Sequence, residues 1–312
     1  MRVAFWGTPE FATAPLRALL GEDHDVVAVV TQPDRPRDAK GRSRSTLDPS
    51  PVKVIALEEG IPVLQPDRPR GAEFAAELRA LAPDISVVVA YGHILPAEII
   101  DLPLLGTLNI HASILPSYRG AAPIQAAIRD GCSETGVGIM RMVPALDAGP
   151  VLLTLRTPIL PDETAGELQL RLAELGTTAI VEALVLISLG RAVEQPQDDS
   201  LATLAPKITR ADARIPFEAP ADRVACLVRA YDPKPGAWSV LREREVRLFG
   251  VRTVGSLTGD PGTVLAADAD GIVVACGSGA VRFAEVHPAG QKRLAAAQWV
   301  RGRGVAIGDN FA

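Results

Sequence analysis

"DISVVVAYG", Asp84–Gly92, is apolar from Ile85 to Val89 except for Ser86 and ends in a Tyr-Gly turn. A short run without polar alternation predicts a strand covered on both faces, as in parallel sheets clothed by helices. Further β-rich runs surround it: "RVAFWG" (2–7), "DVVAVVTQ" (25–32), "IPVLQ" (61–65) and "GTLNIH" (106–111). Between them lie helical patterns, "PEFATAPLRALLGE" (9–22), "SPVKVIALEEG" (50–60) and "GAEFAAELRALA" (71–82). Strand and helix alternating at this spacing predict an α/β fold with a doubly wound, mostly parallel, Rossmann-like sheet. Ligands on such a sheet dock outside the carboxyl ends of its strands. The first strand runs into "GTPEFA" and not into G-x-G-x-x-G, which argues against a nicotinamide enzyme.

After "VGIMRMVPALDAGPVLLTLRTPI" (137–159), a capping signal at Asp162 or Thr164 opens a long helical pattern, "AGELQLRLAELGTTAIVEALVLISLG" (165–190). That helix is expected to close a first domain of residues 1–190. The polar, Pro-containing residues 191–206 read as a linker. Residues 207–312 hold a helical stretch, "APADRVACLVRAYD" (219–232), and then "GAWSVL", "EVRLFGV", "PGTVLAA", "GIVVACG" and "GAVRFAEV". Repeated short strands with Gly turns predict a smaller β-barrel.

A chain of 312 residues with 47% hydrophobic and 22% charged residues is ordinary globular material, long enough for two cores. No apolar run approaches the roughly 18 residues of a membrane span. "MRVAFWGTPEFA" is too short in apolar residues and too acidic for a secretory signal, so a cytoplasmic location is expected. Cys132, Cys226 and Cys276 are widely spaced with no C-x-x-C, which reads as buried thiols and neither a disulfide framework nor a zinc site. The net charge of −5 is unevenly shared: residues 1–208 hold 18 basic and 26 acidic side chains, the remainder 14 and 11. A positive C-terminal third permits a nucleic-acid partner without requiring one.

The chemistry concentrates in "NIHASILPSYRGAAPIQ", Asn109–Gln125. Asn109 and His111, at i and i+2 on a strand end, point to one face while Ile110 points to the other. "MRMVPALDAGPV" supplies Asp147 on a Gly- and Pro-flanked loop after the next strand. Each residue alone reads as a strand cap or a turn former. Together they form an acyl-transfer apparatus without an evident nucleophile. The Asn109 amide and a protonated His111 would donate to the oxygen of a tetrahedral intermediate, with Asp147 orienting the ring. Ser113 lacks a G-x-S-x-G elbow, which argues against a serine hydrolase.

These residues, with "TGVGIMRMVPALDAGPV" (135–151), resemble the folate-dependent formyltransferase family. "GTPEFA" (7–12), "TQPDRP" (31–36), "PSPVK" (49–53), "VVVAYGHILP" (87–96) and "PAGQKRL" (288–294) extend the resemblance over nearly the whole chain. It implies a formyltransferase fold with an OB-like barrel. It also implies 10-formyltetrahydrofolate as co-substrate, no metal, and catalysis by Asn109, His111 and Asp147. By position it assigns the folate site to Ser113, Ile114, Leu115 and Pro116 and to the turn of Ala90, Tyr91, Gly92, Ile94 and Leu95, with Met140 and Val143 as walls. The acceptor implied is the α-amine of methionyl initiator tRNA, formylated for translation initiation by a monomeric enzyme.

Arg35, Arg37, Lys40, Arg42 and Arg44 place five cations within ten positions after the second strand. Such a run reads either as a solvated loop or as a loop that tracks phosphates of an RNA acceptor end. Lys207, at the expected junction, and the C-terminal arginines fit the same partner, although basic strand residues equally make an ordinary solvated face. Related chemistry with a different acceptor, an amino-sugar nucleotide or a purine-pathway amine, or hydrolysis of the formyl folate, would share Asn109, His111 and Asp147. A silent folate- or RNA-binding module is the remaining alternative.

Overall fold

The computed structural model describes residues 1–36, 47–255 and 257–312, which form two compact units. The first comprises 1–121, 136–157 and 170–205; the second comprises 122–135, 158–169 and 206–312.

Among the described residues, eleven strands precede residue 206: β1 Arg2–Gly7, β2 Asp25–Val30, β3 Arg35–Pro36, β4 Leu47–Asp48, β5 Val63–Leu64, β6 Ile85–Val89, β7 Thr107–His111, β8 Arg119–Gly120, β9 Glu134–Arg141, β10 Val151–Pro158 and β11 Leu204–Ala205. Seven of them form one sheet in the order β10-β9-β7-β6-β1-β2-β5. β1, β2, β5, β6 and β7 pair in parallel, and β9 joins β7 antiparallel, so the sheet is mostly parallel as its apolar runs predict. β6, the "ISVVV" core of the opening stretch, is buried at every residue.

Helices α1 Thr13–Gly21, α2 Pro51–Glu58, α3 Ala72–Ala80, α4 Ala97–Ile100, α5 Pro123–Arg129 and α6 Ala165–Ser188 lie between or after these strands. Phe74, Ala75 and Leu78 of α3 and Ile99 and Ile100 of α4 pack on Ala4, Trp6, Val30 and Val88, which is one face of the sheet. α6 approaches the other: a Cβ on Gly176 would stand 3.0 Å from Ile110 Cγ2 and 3.7 Å from Val137 Cγ1. Glycine in mid-helix costs about 1 kcal/mol against alanine; here it admits that close approach. α2 starts as its sequence predicts, with Ser50 Oγ accepting from Lys53 N and Pro51 in the first turn. Of the two capping candidates before α6, Thr164 is the one used. Its Oγ1 accepts from Glu167 N while Glu167 accepts from Thr164 N, a reciprocal capping box.

The second unit holds α7 Ala221–Ala230, β12 Trp238–Leu241, β13 Arg244–Val254, β14 Val264–Asp268, β15 Gly271–Ala275, β16 Ala280–Pro288, β17 Leu294–Ala295 and α8 Ala296–Arg301. The sheet order is β12-β13-β16-β15-β14, with β17 on β16. Its two edges are joined by the C-terminus: Val240 and Ala312 exchange hydrogen bonds, while Val264 N donates to Asp309 O and Phe311 N to Gly262 O. The antiparallel sheet is thereby closed, which satisfies edge groups that would otherwise be left bare. Ala221, Val224, Ala225 and Val228 form the buried stripe of α7.

Candidate active site

The pleat and register of β7 set the site. Val88 of β6 and Met140 of β9 are the register partners of Asn109, and Gly138 is the partner of His111. Asn109 and His111 therefore emerge on the Trp6 and Val88 face, at the carboxyl end of the strand, and Gly138 sets no side chain beside the ring. His111 is buried and Asn109 half-buried. Among the described residues no hydrogen bond holds the Asn109 amide, which leaves its N–H groups available to a substrate oxygen.

Past β7 the chain turns sharply. Ser113 Oγ donates to Ser117 O at 2.6 Å, and Tyr118 adopts φ 61°. The Tyr118 carbonyl lies 2.9 Å from His111 Nε2. A carbonyl only accepts, so Nε2 carries the proton and Nδ1 is the ring position open to exchange. Facing it is Asp147 Oδ2 at 3.7 Å from Nδ1, within ion-pair reach and beyond hydrogen-bond length. The same oxygen accepts from Gly120 N at 2.8 Å. Asp147 sits at φ 48°, a left-handed conformation that costs a non-glycine residue roughly 1–2 kcal/mol.

The residues expected around the folate divide by burial. Ser113, Leu115, Tyr91, Leu95 and Met140 are buried; Ile114, Pro116 and Val143 are half-buried; Ala90, Gly92 and Ile94 are exposed. Tyr91 belongs to the sheet core, its ring edge-on to Trp6, and burial pushes its hydroxyl up to about 12. The Tyr91 carbonyl already accepts from Gln32 Nε2 at 2.9 Å. The turn therefore offers a ligand the exposed backbone of Ala90 and Gly92 and the apolar side chain of Ile94.

Below the basic run, Lys53 Nζ donates to Asp34 Oδ2 at 2.5 Å and to Gln65 Oε1 at 2.7 Å. Gln65 Nε2 returns to Asp34 Oδ1 at 2.8 Å. Backbone pairing of β3 with β4 closes the root of this run. Arg37, Lys40, Arg42 and Arg44 lie outside the described residues, as does the side chain of Arg35. Lys207 is exposed, in the second unit. There Arg242 pairs with Asp309, Arg293 with Asp232 and Glu285, and Arg210 with Glu245. Among the described residues Arg244, Lys292, Arg301 and Arg303 are exposed and make no ion pair. No group of three or more His, Cys, Asp or Glu suited to a metal occurs among the described residues, and no helix there is long and apolar enough to cross a membrane.

Sequence reasoning missed what supports this rim. Arg119, 8% exposed, donates to Gln197 Oε1 from Nε and from a terminal nitrogen at 3.0 and 2.8 Å, and to Asp199 Oδ1 at 2.7 Å. Gln197 Nε2 donates in turn to the carbonyls of Asp147 and Gly149. Tyr118 N donates to Thr203 Oγ1, and β8 pairs in parallel with β11. No local pattern in residues 191–206 signals these bonds.

The formyl transferase family model matches residues 1–184, and the model of the family's C-terminal domain matches 207–304. A methionyl-tRNA formyltransferase from Aromatoleum aromaticum is 50% identical over 311 residues, covering 100% of this chain and 97% of its own. This chain belongs to the methionyl-tRNA formyltransferases. A second such formyltransferase, from Pseudomonas syringae pv. tomato, is 48% identical and covers 94% of this chain and 92% of its own. The fold recurs in HypX from Aquifex aeolicus in complex with tetrahydrofolic acid, at a TM-score of 0.67 and 22% identity. That match covers 96% of this chain, which spans about half the length of HypX, 47%. The formyltransferase reading of Asn109–Gln125 thus names the right family, and formyl transfer is the chemistry of this methionyl-tRNA formyltransferase.

Proposed function

We propose that this methionyl-tRNA formyltransferase moves the formyl group of 10-formyltetrahydrofolate onto the α-amine of methionyl initiator tRNA, using Asn109, His111 and Asp147. The unprotonated amine attacks the formyl carbon, and charge grows on the formyl oxygen. The Asn109 amide and a His111 ring protonated at Nδ1 as well as Nε2 donate to that oxygen, and Asp147 holds the ring and passes protons. The leaving folate N10 takes up the proton that the amine gives up. The observation that carries this reading is the 3.7 Å approach of His111 Nδ1 to Asp147 Oδ2 beside an unengaged Asn109 amide.

In this reading residues 1–190 are the catalytic domain, 191–206 the linker and 207–312 the tRNA-binding domain of a monomer in the cytoplasm. No metal takes part. The folate lies along Ala90–Leu95 and Ser113–Pro116, flanked by Met140 and Val143. Support for a folate donor comes from the family and from HypX, whose structure holds tetrahydrofolic acid. Arg35, Arg37, Lys40, Arg42, Arg44 and Lys207 contact tRNA phosphates.

The test is mass analysis of the methionyl ester after incubation of enzyme, 10-formyltetrahydrofolate and charged initiator tRNA, with an amino-sugar nucleotide as the parallel acceptor. The methionyl ester gains one formyl group. Asn109→Ala, His111→Ala and Asp147→Ala each lower turnover on the order of 100- to 1000-fold with the fold intact. Near-normal turnover in all three refutes the residue roles, and formylation of the sugar nucleotide alone refutes the acceptor.

A further inference from the structure

The segment between the two family matches, residues 185–206, carries no assigned role beyond connection. Yet it supplies the bonds that hold the Asp147 loop. The Gln197 side-chain amide is fully engaged. Its two N–H donors go to Asp147 O at 2.9 Å and Gly149 O at 2.7 Å, and its oxygen accepts twice from Arg119. These partners fix the amide orientation, because carbonyls need the NH2 and a guanidinium needs the oxygen.

Asp147 needs such support. A non-glycine residue in the left-handed region persists only where its surroundings over-determine it. Here φ is 48°, and the carboxylate reaches both Gly120 N and His111 Nδ1 from that backbone. Gln197 bonds the carbonyl of Asp147 itself and the one two residues on, bracketing the peptide units that set the direction of its side chain. Arg119 in turn fixes Gln197, and Arg119 lies between Tyr118, whose carbonyl holds His111, and Gly120, whose N–H holds Asp147.

We propose that Gln197 is a positioning residue for formyl transfer: its amide templates the 147–149 loop so that the Asp147 carboxylate faces His111. The proposal rests on the catalytic reading of Asp147. It makes the connecting segment part of the catalytic apparatus, although Gln197 touches no reacting atom.

Gln197→Glu is the sharp variant. It is isosteric and keeps an acceptor for Arg119, but sets a carboxylate oxygen against two carbonyl oxygens. Gln197→Met removes the donors without adding charge and serves should Gln197→Glu fold poorly. With charged initiator tRNA and 10-formyltetrahydrofolate, each variant is expected to lose about 10- to 100-fold in kcat, with KM for both substrates within about threefold of wild type, the scale of a displaced catalytic group. In an Asp147→Asn background, Gln197→Met is expected to cost nothing further, the non-additivity of residues acting through one another. Wild-type kcat in Gln197→Met beside an impaired Asp147→Asn overturns the proposal alone. So does a Gln197→Met loss that multiplies in full with that of Asp147→Asn. Wild-type kcat in Asp147→Asn overturns the catalytic reading itself.

Discussion

Replacing Gly120 with alanine tests the rim where it is tightest. Gly120 lies at φ 123°, a region nearly closed to side chains, and a Cβ there would stand 2.6 Å from Ala205 O and 3.1 Å from Ala205 C. Neither atom yields easily, because Ala205 is fully buried and its strand pairs with β8. Adopting the disfavoured φ costs about 1–3 kcal/mol, and displacing packed backbone costs about 1–3 kcal/mol more. A loss near 4 kcal/mol follows. At roughly 2–4 °C per kcal/mol for a unit of this size, the melting transition of the first unit falls by about 8–16 °C in calorimetry. The same shift moves the Gly120 N–H that holds Asp147 Oδ2, so kcat falls about 10- to 100-fold. A variant with stability within about 0.5 kcal/mol of wild type and unchanged kcat would refute the β8–β11 pairing and its link to Asp147.

Burial pushes the Asp34 carboxyl up, but hydrogen bonds from Lys53 and Gln65 and the Lys53 charge outweigh it and leave the group below the ordinary carboxylate range. Its stabilisation is therefore full above the unfolded value near about 3.9 and fades as pH falls through the lower folded value. Lys53→Met should lose about 1–3 kcal/mol at neutral pH in urea unfolding, with the gap to wild type closing as pH falls below the unfolded value and through the lower folded one; a gap of the same size at neutral and at strongly acidic pH would absolve Asp34. Phe311, 3% exposed and 5.9 Å from the Phe217 ring, seals the closed sheet. Phe311→Ala should cost about 3–5 kcal/mol in the second unit's unfolding, and a loss under about 1 kcal/mol would show that the C-terminus does not close it. Affinity for Met-tRNA should fall linearly with salt on logarithmic axes, and substituting Arg244, Arg301 and Arg303 with alanine should reduce that slope by about 2–3. A slope unchanged in filter binding removes those cations from the phosphate path.

Much of the first unit is written locally. The apolar run Ile85–Val89 needs cover on both faces whatever surrounds it, and the i, i+2 spacing of Asn109 and His111 puts both on one face by pleat alone. The basic run from Arg35 to Arg44 was legible as charge and no further, since residues 37–46 lie outside those described. Burial sorted the folate candidates in a way sequence did not: Tyr91, an aromatic residue in a turn expected to face ligand, turns into the Trp6 core. Residues 191–206 looked like a polar connection because their side chains have no periodicity, yet Gln197, Asp199 and Thr203 are bonded to Asp147, Arg119 and Tyr118.

By itself the sequence determined the main alternation of strands and helices, the mostly parallel sheet and the family, because periodicity, caps and short motifs act between residues close along the chain. Only the tertiary structure decided that the C-terminus closes the second sheet and that Gln197 bonds the Asp147 carbonyl from 50 residues away. Those bonds join groups whose meeting depends on how the whole chain returns on itself, and a hydrogen bond between distant residues leaves no pattern in either segment taken alone.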